Sequence, residues 1–125
     1  MAQKPPILVM DDDPELCQLI KRSLEHAGHK VVVAQDGMHA LGTYEMNRPS
    51  MLFVDLMMPN IDGEEFLRML GTPRPPVVLI TASVRRLEVA NRFGVDASLE
   101  KPFDIREIMR LANEMVGDPK ADEEE

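Results

Sequence analysis

The chain has 125 residues, enough for one domain with its own hydrophobic core. Its formal charge of −8 argues against electrostatic binding to nucleic acid, and its single cysteine, Cys17, excludes an internal disulfide. No stretch has the length and apolar character of a membrane span, and the polar opening MAQKPP does not resemble a signal peptide. We therefore expect a soluble cytoplasmic domain that binds neither nucleic acid nor membrane.

Short apolar runs alternate with segments of helical periodicity along the chain. The apolar runs predict strands at Ile7–Met10, Val31–Ala34, Leu52–Val54, Val77–Ile80 and around Ala97–Leu99. Helical spacing predicts helices after Asp13, over Met38–Asn47, over Glu64–Leu70, within Arg85–Phe93 and after Asp104. Strands and helices in alternation predict an α/β domain, with a doubly wound parallel sheet of five strands covered by five helices.

The first and last helices have clear boundary signals. Asp13 is a candidate N-cap, Pro14 suits the first helical position, and Gly28 follows the end of the apolar stripe. Asp104 and Glu107 have the spacing of a capping box at the start of the last helix. Both helices are therefore expected to begin at an aspartate.

The end of the chain differs in composition from the rest. The stretch GDPKADEEE carries five acids and one lysine and has no apolar periodicity. A segment of this composition cannot bury enough apolar surface to fold. We therefore predict a folded domain over 1–117 and an acidic disordered tail over 118–125.

Charged and polar side chains stand where the predicted strands end. Asp11 and Asp12 follow the first strand, Asp55 follows the third, Thr81 closes the fourth and Lys101 follows the fifth. Because ligands of such sheets bind beyond the carboxyl ends of the strands, these side chains are expected to converge at one edge. Three neighbouring carboxylates repel one another unless a cation compensates, and an all-oxygen ligand set favours Mg²⁺.

Each of these residues also has an ordinary structural interpretation. An aspartate pair after a strand often caps a helix or forms a turn, and Asp55 is compatible with a turn before Pro59. Taken alone, Thr81 fits a β-branched strand residue and Lys101 a solvated surface charge. Their convergence at one predicted edge favours the functional interpretation.

Four fragments carry a resemblance to a known family. ILVMDDDPEL, LFVDLMMPNIDGEEFL, VVLITA and ASLEKPFD are similar, in order and approximate spacing, to the receiver domain of two-component response regulators. The resemblance covers nearly the whole chain up to the acidic tail. It implies a flavodoxin-like sheet in the strand order 2-1-3-4-5. With no output segment after the fifth helix, we expect a stand-alone, single-domain receiver, although a piece of a longer regulator that ends just beyond this helix would have the same pattern.

The resemblance implies a phosphotransfer role for three of the residues. Asp55 matches the phosphoacceptor aspartate, Thr81 the hydroxyl residue that contacts the phosphoryl group, and Lys101 the lysine that precedes a proline in this family. A histidine kinase or a histidine phosphotransfer protein would pass the phosphoryl group to Asp55, directly or within a phosphorelay. The altered surface would then bind a downstream target protein. The domain would promote only its own phosphotransfer and autodephosphorylation, so we do not expect an enzyme.

The resemblance also implies a magnesium site. Asp12 corresponds to the direct metal ligand, and Asp11 acts on the metal largely through water. Asp55 and the backbone carbonyl of Met57 complete the expected ligand set. Asp13 falls outside this set and remains the candidate helix cap.

One departure from the family pattern concerns the residue three positions before Lys101. Response regulators commonly carry a tyrosine or phenylalanine there that turns inward on activation, and this chain has Ser98. A serine cannot report the state of the site by burying a ring. A signal would instead travel through the loop after Thr81 or through the fourth helix.

Two functions of other classes require residues that this chain lacks. A Mg²⁺-dependent phosphohydrolase of the haloacid-dehalogenase type needs an aspartate two positions after its nucleophile, where this chain has Met57. A flavin binder of the flavodoxin type needs a phosphate-binding loop where this chain has the repelling DDDPE. A receiver-like interaction module that is insensitive to phosphorylation stays open because of Ser98.

The histidines, Gly63 and Cys17 are expected to have structural roles only. His26, His29 and His39 lack metal-binding spacing and are expected at the surface. Gly63 is predicted to form a turn with positive φ. Cys17 is predicted to pack inside the domain.

Overall fold

The computed structural model describes residues 4–120. Within this range it has five strands, β1 Ile7–Met10, β2 Val31–Ala34, β3 Met51–Val54, β4 Val77–Thr81 and β5 Ala97–Glu100. They alternate with five helices, α1 Pro14–His26, α2 Gly37–Asn47, α3 Gly63–Leu70, α4 Arg86–Phe93 and α5 Ile105–Val116. The predicted elements are confirmed. Residues 121–125, most of the predicted tail, lie outside the described range, so the domain boundary at 117 stays a prediction.

The strands form a parallel sheet in the order β2-β1-β3-β4-β5. This confirms the order 2-1-3-4-5 and places the point where strand order reverses between β1 and β3. The strands β1, β3 and β4 are buried along their whole length, as their continuous apolar sequences require. The ends of β1 and β3 therefore face a crevice at the carboxyl edge of the sheet.

The helices cover both faces of the sheet. Side chains of β1 alternate between the faces, so Ile7 and Val9 pack with α1 and α5, and Leu8 and Met10 pack with α2, α3 and α4. Cys17 is buried in the first of these layers, as predicted. Within residues 4–120, none of the helices combines the length and the apolar character that a membrane crossing requires.

Aspartates cap the helices, with one difference from expectation. Asp13 accepts a hydrogen bond from the amide of Glu15 at 3.0 Å, which confirms it as the N-cap of α1. Asp104 caps α5 through the amide of Arg106 at 2.9 Å. A capping box requires that bond to go to the amide of Glu107, so the predicted box is wrong in this respect.

The prediction that His29 is a surface residue is wrong. It is 8% exposed, and its Nε2 atom lies 2.8 Å from Oδ1 of Asn113 on α5. The turn between α1 and β2 brings the ring against the end of α5, a contact that no local pattern signals. His26 and His39 are exposed, as expected.

Candidate functional site

The ends of β1 and β3 place Asp11 and Asp55 in the crevice. The amide of Asp11 donates to the carbonyl of Ala34 at 3.1 Å, and the amide of Asp55 donates to the carbonyl of Met10 at 2.9 Å. These bonds continue the sheet ladder, so both residues have fixed backbones. Asp11 is 0% and Asp55 3% exposed. Two buried carboxylates are costly unless positive charge compensates for them.

Lys101 supplies part of that compensation. Its Nζ atom lies 2.5 Å from Oδ2 of Asp11 and 2.8 Å from Oδ2 of Asp55. The lysine follows β5, its amide donates to the carbonyl of Thr81 at 3.0 Å, and its peptide bond to Pro102 is cis. Burial works to lower the pKa of Lys101, but the hydrogen bonds to the two carboxylates raise it above its usual value. The side chain is therefore an ammonium ion at neutral pH.

Asp12 completes a cluster of three acids. Carboxylate oxygens of Asp11, Asp12 and Asp55 lie within 4.8 Å of one another, and Asp12 is exposed to solvent. One ammonium against three carboxylates leaves the cluster with two net negative charges. Oxygen donors with excess negative charge beside solvent suit a hard divalent cation. The residues present therefore fit the Mg²⁺ that the sequence predicts.

The electrostatics of Asp11 show that repulsion persists without a cation. Burial raises the pKa of its carboxyl above the usual value, and the charge of Asp55 raises it further. Hydrogen bonds from Lys101 and from the amide of Asp13 oppose that rise but do not cancel it. A bound cation would stabilise the ionised form of Asp11.

Thr81 occupies the end of β4 beside this cluster. It is fully buried, and its Oγ1 atom accepts a hydrogen bond from the amide of Ser83 at 3.2 Å. Because Val54 pairs with Leu79, Thr81 stands one position beyond the level of Asp55 on the neighbouring strand. The structure thus brings Thr81 to the same edge of the sheet as the acids and Lys101.

Met57 touches the site through its backbone. Its amide donates to Oδ1 of Asp55 at 3.0 Å, which fixes the carboxylate oxygen that Lys101 does not contact. Its side chain is 57% exposed at the rim. The role of its carbonyl as a metal ligand stays a prediction.

Gly63 contributes to the site in a way that the sequence did not indicate. The predicted positive φ is wrong. A Cβ atom at this position would instead lie 2.3 Å from the backbone oxygen of Asp55 and 2.9 Å from Cα of Leu56. The start of α3 therefore packs directly on the backbone of Asp55, and only a glycine allows this approach.

Gly63→Ala is expected to lower the free energy of unfolding by about 2 kcal/mol or more, because the atoms that meet the new methyl group belong to rigid backbone. Urea denaturation would measure the change. Gly42→Ala on α2 is the matched control, since no atom lies within 4 Å of its added Cβ. That control is expected to gain about 1 kcal/mol from improved helix propensity. A loss of less than half the expected amount in Gly63→Ala would show that α3 can move away from Asp55 at little cost.

Ser98 makes a polar contact with α4. Its Oγ atom accepts a hydrogen bond from Nη1 of Arg86 at 2.6 Å, and Nη2 of the same arginine lies 3.7 Å from a carboxylate oxygen of Glu100. The side chain of Arg86 is only 19% exposed. A guanidinium from α4 therefore covers the serine, and sequence reasoning missed it because the two residues share no local pattern.

An apolar groove adjoins Lys101 on the side of α1. Its lining includes Leu16 and Leu19 of α1, Phe103 from the segment before α5 and Ile105, the first residue of α5. Its volume is about 610 Å³. Leu19 is 51% exposed, so the groove presents apolar surface to solvent. We call this surface the α1–α5 groove.

The chain is similar in sequence to known response regulators. A model of the response regulator receiver domain matches residues 7–113. The chain is 36% identical over 121 residues to the response regulator MprA of Mycobacterium sp. (strain KMS), an alignment that covers 94% of this chain and 53% of the relative. The chain thus spans about half the length of the curated relatives it matches.

Solved structures show the same similarity. The receiver domain of the Francisella response regulator 1452 superposes with a TM-score of 0.81 at 34% identity, over 90% of this chain and 96% of that one. The chemotaxis protein CheY4 of Vibrio cholerae superposes with a TM-score of 0.80 at 25% identity, over 91% of this chain and 100% of that one.

Proposed function

The chain belongs to the family of response regulator receiver domains, and from this we propose that it is a phosphorylation-dependent signalling receiver with Asp55 as its phosphoacceptor. Receiver domains are signalling modules of two-component systems and are not, in general, enzymes. The observation that carries the proposal is the ammonium of Lys101, 2.8 Å from Oδ2 of Asp55, in an oxygen-rich cluster with excess negative charge. Such a cluster combines a nucleophile, Asp55, with the fixed positive charge of Lys101 and a binding site for a metal cation.

The proposed reaction needs little covalent chemistry from the protein. An oxygen of Asp55 forms a bond to phosphorus while the P–N bond of a phosphohistidine donor breaks, and the electron pair of that bond stays on the departing imidazole nitrogen. Lys101 stabilises the negative charge on the phosphoryl oxygens, and the hydroxyl of Thr81 donates a hydrogen bond to the product. In dephosphorylation the same groups would assist water, whose oxygen bonds to phosphorus while the Asp55 O–P bond breaks and the carboxylate is released.

The metal would be held by Asp11, Asp12, Asp55 and the carbonyl of Met57. When bound, Mg²⁺ supplies positive charge that offsets the three carboxylates and the incoming phosphoryl oxygens. Both carboxylate oxygens of Asp11 already accept hydrogen bonds, from the amide of Asp13 and from Lys101, which supports a contact through water for Asp11 and a direct metal contact for Asp12.

We place the donor on the α1–α5 groove. A histidine kinase or a histidine phosphotransfer protein must bring its phosphohistidine within bonding distance of Asp55, and this apolar groove includes Lys101 in its lining. Its exposed Leu19 offers a partner a surface to desolvate. The phosphorylated chain then acts on a downstream protein, and both partners are expected in the cytoplasm.

Phosphorylation can be tested without the natural partner. Intact mass is measured after incubation with phosphoramidate or acetyl phosphate, with and without Mg²⁺. A single phosphoryl adduct that requires Mg²⁺ is the expected result. A folded protein that acquires no adduct under either condition would refute the proposed function.

Mg²⁺ is expected to raise the thermal midpoint by on the order of 10 °C at about one hundred times its Kd. This effect should shrink on acidification, because the raised pKa of Asp11 lets protons compete with the metal. In the metal-free protein the thermal midpoint should instead rise on acidification. A carboxyl whose pKa is raised by folding contributes stability at low pH, and this contribution is lost as the pH rises through the raised pKa.

Thermal denaturation from about pH 5 to about pH 8, in EDTA and in Mg²⁺, would measure both trends. In metal-free Asp11→Asn the rise of the thermal midpoint on acidification should be lost. A midpoint that does not respond to Mg²⁺ at any pH would contradict the metal site.

A further inference from the structure

The loop between β4 and α4, residues 82–85, is joined to Thr81 by successive hydrogen bonds. The amide of Ser83 donates to Oγ1 of Thr81 at 3.2 Å, and the amide of Arg85 donates to Oγ of Ser83 at 3.1 Å. Arg85 is therefore coupled to the hydroxyl of Thr81 through a single intervening side chain. The amide and the hydroxyl of Ser83 thus connect Thr81 to Arg85.

The side chain of Arg85 ties this loop to α3. Its Nη1 atom lies 2.9 Å from Oε2 of Glu64, and its Nη2 atom lies 3.2 Å from Oε1 of Glu88 on α4. Glu64 is the second residue of α3 and directly follows Gly63, which packs on the backbone of Asp55. The ion pair between Glu64 and Arg85 therefore links the segment that carries Asp55 to the segment that carries Thr81.

Glu64 is partly buried and surrounded by arginines. Its side chain is 14% exposed and also receives Arg92 of α4 and Arg68 of α3. Burial works to raise the pKa of Glu64, but the hydrogen bond from Arg85 and the charges of the arginines lower it below its usual value. The carboxylate is therefore ionised, and the link present, throughout the neutral range.

We propose that Glu64 and Arg85 are positioning residues that hold the β4–α4 loop in its unphosphorylated arrangement, and that phosphorylation of Asp55 must loosen their ion pair. This inference rests on the proposed function. Oγ1 of Thr81 accepts a hydrogen bond from the amide of Ser83, so its O–H group is still available to donate to a phosphoryl group on Asp55. Such a group would draw the hydroxyl, and the loop bonded to it, toward the site, whereas α3 is fixed against Asp55. Such a shift strains the side-chain link between the two segments, so the link favours the unphosphorylated state.

Removing either partner is therefore expected to strengthen binding of a phosphoryl mimic. The probe is beryllofluoride with Mg²⁺, and the shifts of the Ala82 and Ser83 amide signals in NMR spectra report its Kd. Glu64→Gln and Arg85→Gln should each bind about two- to five-fold more tightly than wild type, because Arg85 is half exposed and solvent screens the pair. The double variant should gain no more than the better single variant.

The direction in which each substitution changes the Kd distinguishes a restraining contact from a general effect of charge. Loss of the negative charge at Glu64 would strengthen binding of the anionic beryllofluoride, whereas loss of the positive charge at Arg85 would weaken that binding. Charge alone therefore predicts opposite effects of the two substitutions. A role in stability alone would lower the thermal midpoint of both variants and leave the Kd unchanged. Only a restraining contact makes both variants bind more tightly.

Glu114→Gln is the matched control, because Glu114 forms a comparable ion pair with Arg110 at 2.9 Å on α5. Its Kd should equal that of wild type. Opposite effects in the two variants, or none in either, would overturn the inference and leave the proposed function intact. If the wild type itself fails to bind beryllofluoride with Mg²⁺, the proposed function falls, and this inference falls with it.

Discussion

Asp55→Asn is expected to abolish the phosphoryl adduct. The carboxylate oxygen is the attacking atom, and an amide oxygen in its place is too weak a nucleophile to displace the donor. The substitution preserves the shape of the side chain, and its oxygen can still accept the hydrogen bond that the amide of Met57 gives to Oδ1. Intact mass after incubation with a phosphoramidate donor and Mg²⁺ should show the adduct in the wild type and none in the variant.

Asp13→Asn provides the matched control in the same acidic run. Asp13 caps α1 through the amide of Glu15 and lies outside the metal cluster, and asparagine caps helices as well as aspartate does. This control should retain the full adduct. An adduct of undiminished yield in Asp55→Asn would assign the chemistry to another residue and contradict the account.

Lys101→Met is expected to destabilise the metal-free protein by about 3 kcal/mol near neutral pH, because it leaves the carboxylates of Asp11 and Asp55 buried without their cation. The loss should be smaller at acid pH, where Asp11 with its raised pKa takes up a proton. It should also be smaller in Mg²⁺, which would replace part of the missing charge. Urea denaturation in EDTA and in Mg²⁺ measures these differences.

The same substitution is expected to slow formation of the adduct by about a hundredfold, the usual cost of removing a positioned charge from the path of phosphoryl transfer. Lys120→Met, at an exposed lysine, should change neither stability nor rate by a measurable amount. A metal-free Lys101→Met as stable as the wild type would mean that the two buried acids do not need a cation. The contacts at 2.5 Å and 2.8 Å would then not be an ion-paired cluster.

The sequence predicted the sheet because its signals are local and agree with one another. Continuous apolar runs such as Ile7–Met10 suit strands buried on both faces, and Asp13 with Pro14 marks a helix start without reference to the rest of the chain. The candidate site followed from the same pattern. Parallel strands end at one edge, so residues directly after them meet there whatever the details of packing.

Other features could not be predicted because they depend on contacts between distant residues. The sequence offered only the glycine at Gly63, and a glycine signals a positive φ and a close backbone approach equally well. The burial of His29 depends on Asn113, which lies 84 positions further along the chain. A pattern within one helix does not show which partner a long polar side chain will find on another element.

The two arginines where the β4–α4 loop meets α4 show this most clearly. Arg85 turns to α3 and Arg86 turns to β5, so two adjacent residues join the β4–α4 region to different neighbours. In the sequence they form an unremarkable basic pair in a poorly defined helix. The structure assigns a contact partner to the Ser98 position, where the family commonly has an aromatic residue, and that partner is the guanidinium of Arg86.

The location of the phosphoryl group tests the central claim most directly. Borohydride reduces an acyl phosphate to an alcohol, so a phosphorylated aspartate becomes homoserine and can be identified in a peptide by mass spectrometry. After treatment with a phosphoramidate donor and Mg²⁺, we expect homoserine at position 55 and unmodified aspartate at positions 11 and 12. Homoserine at either of those positions, or an acid-stable phosphate on Thr81 or Ser83, would contradict this claim.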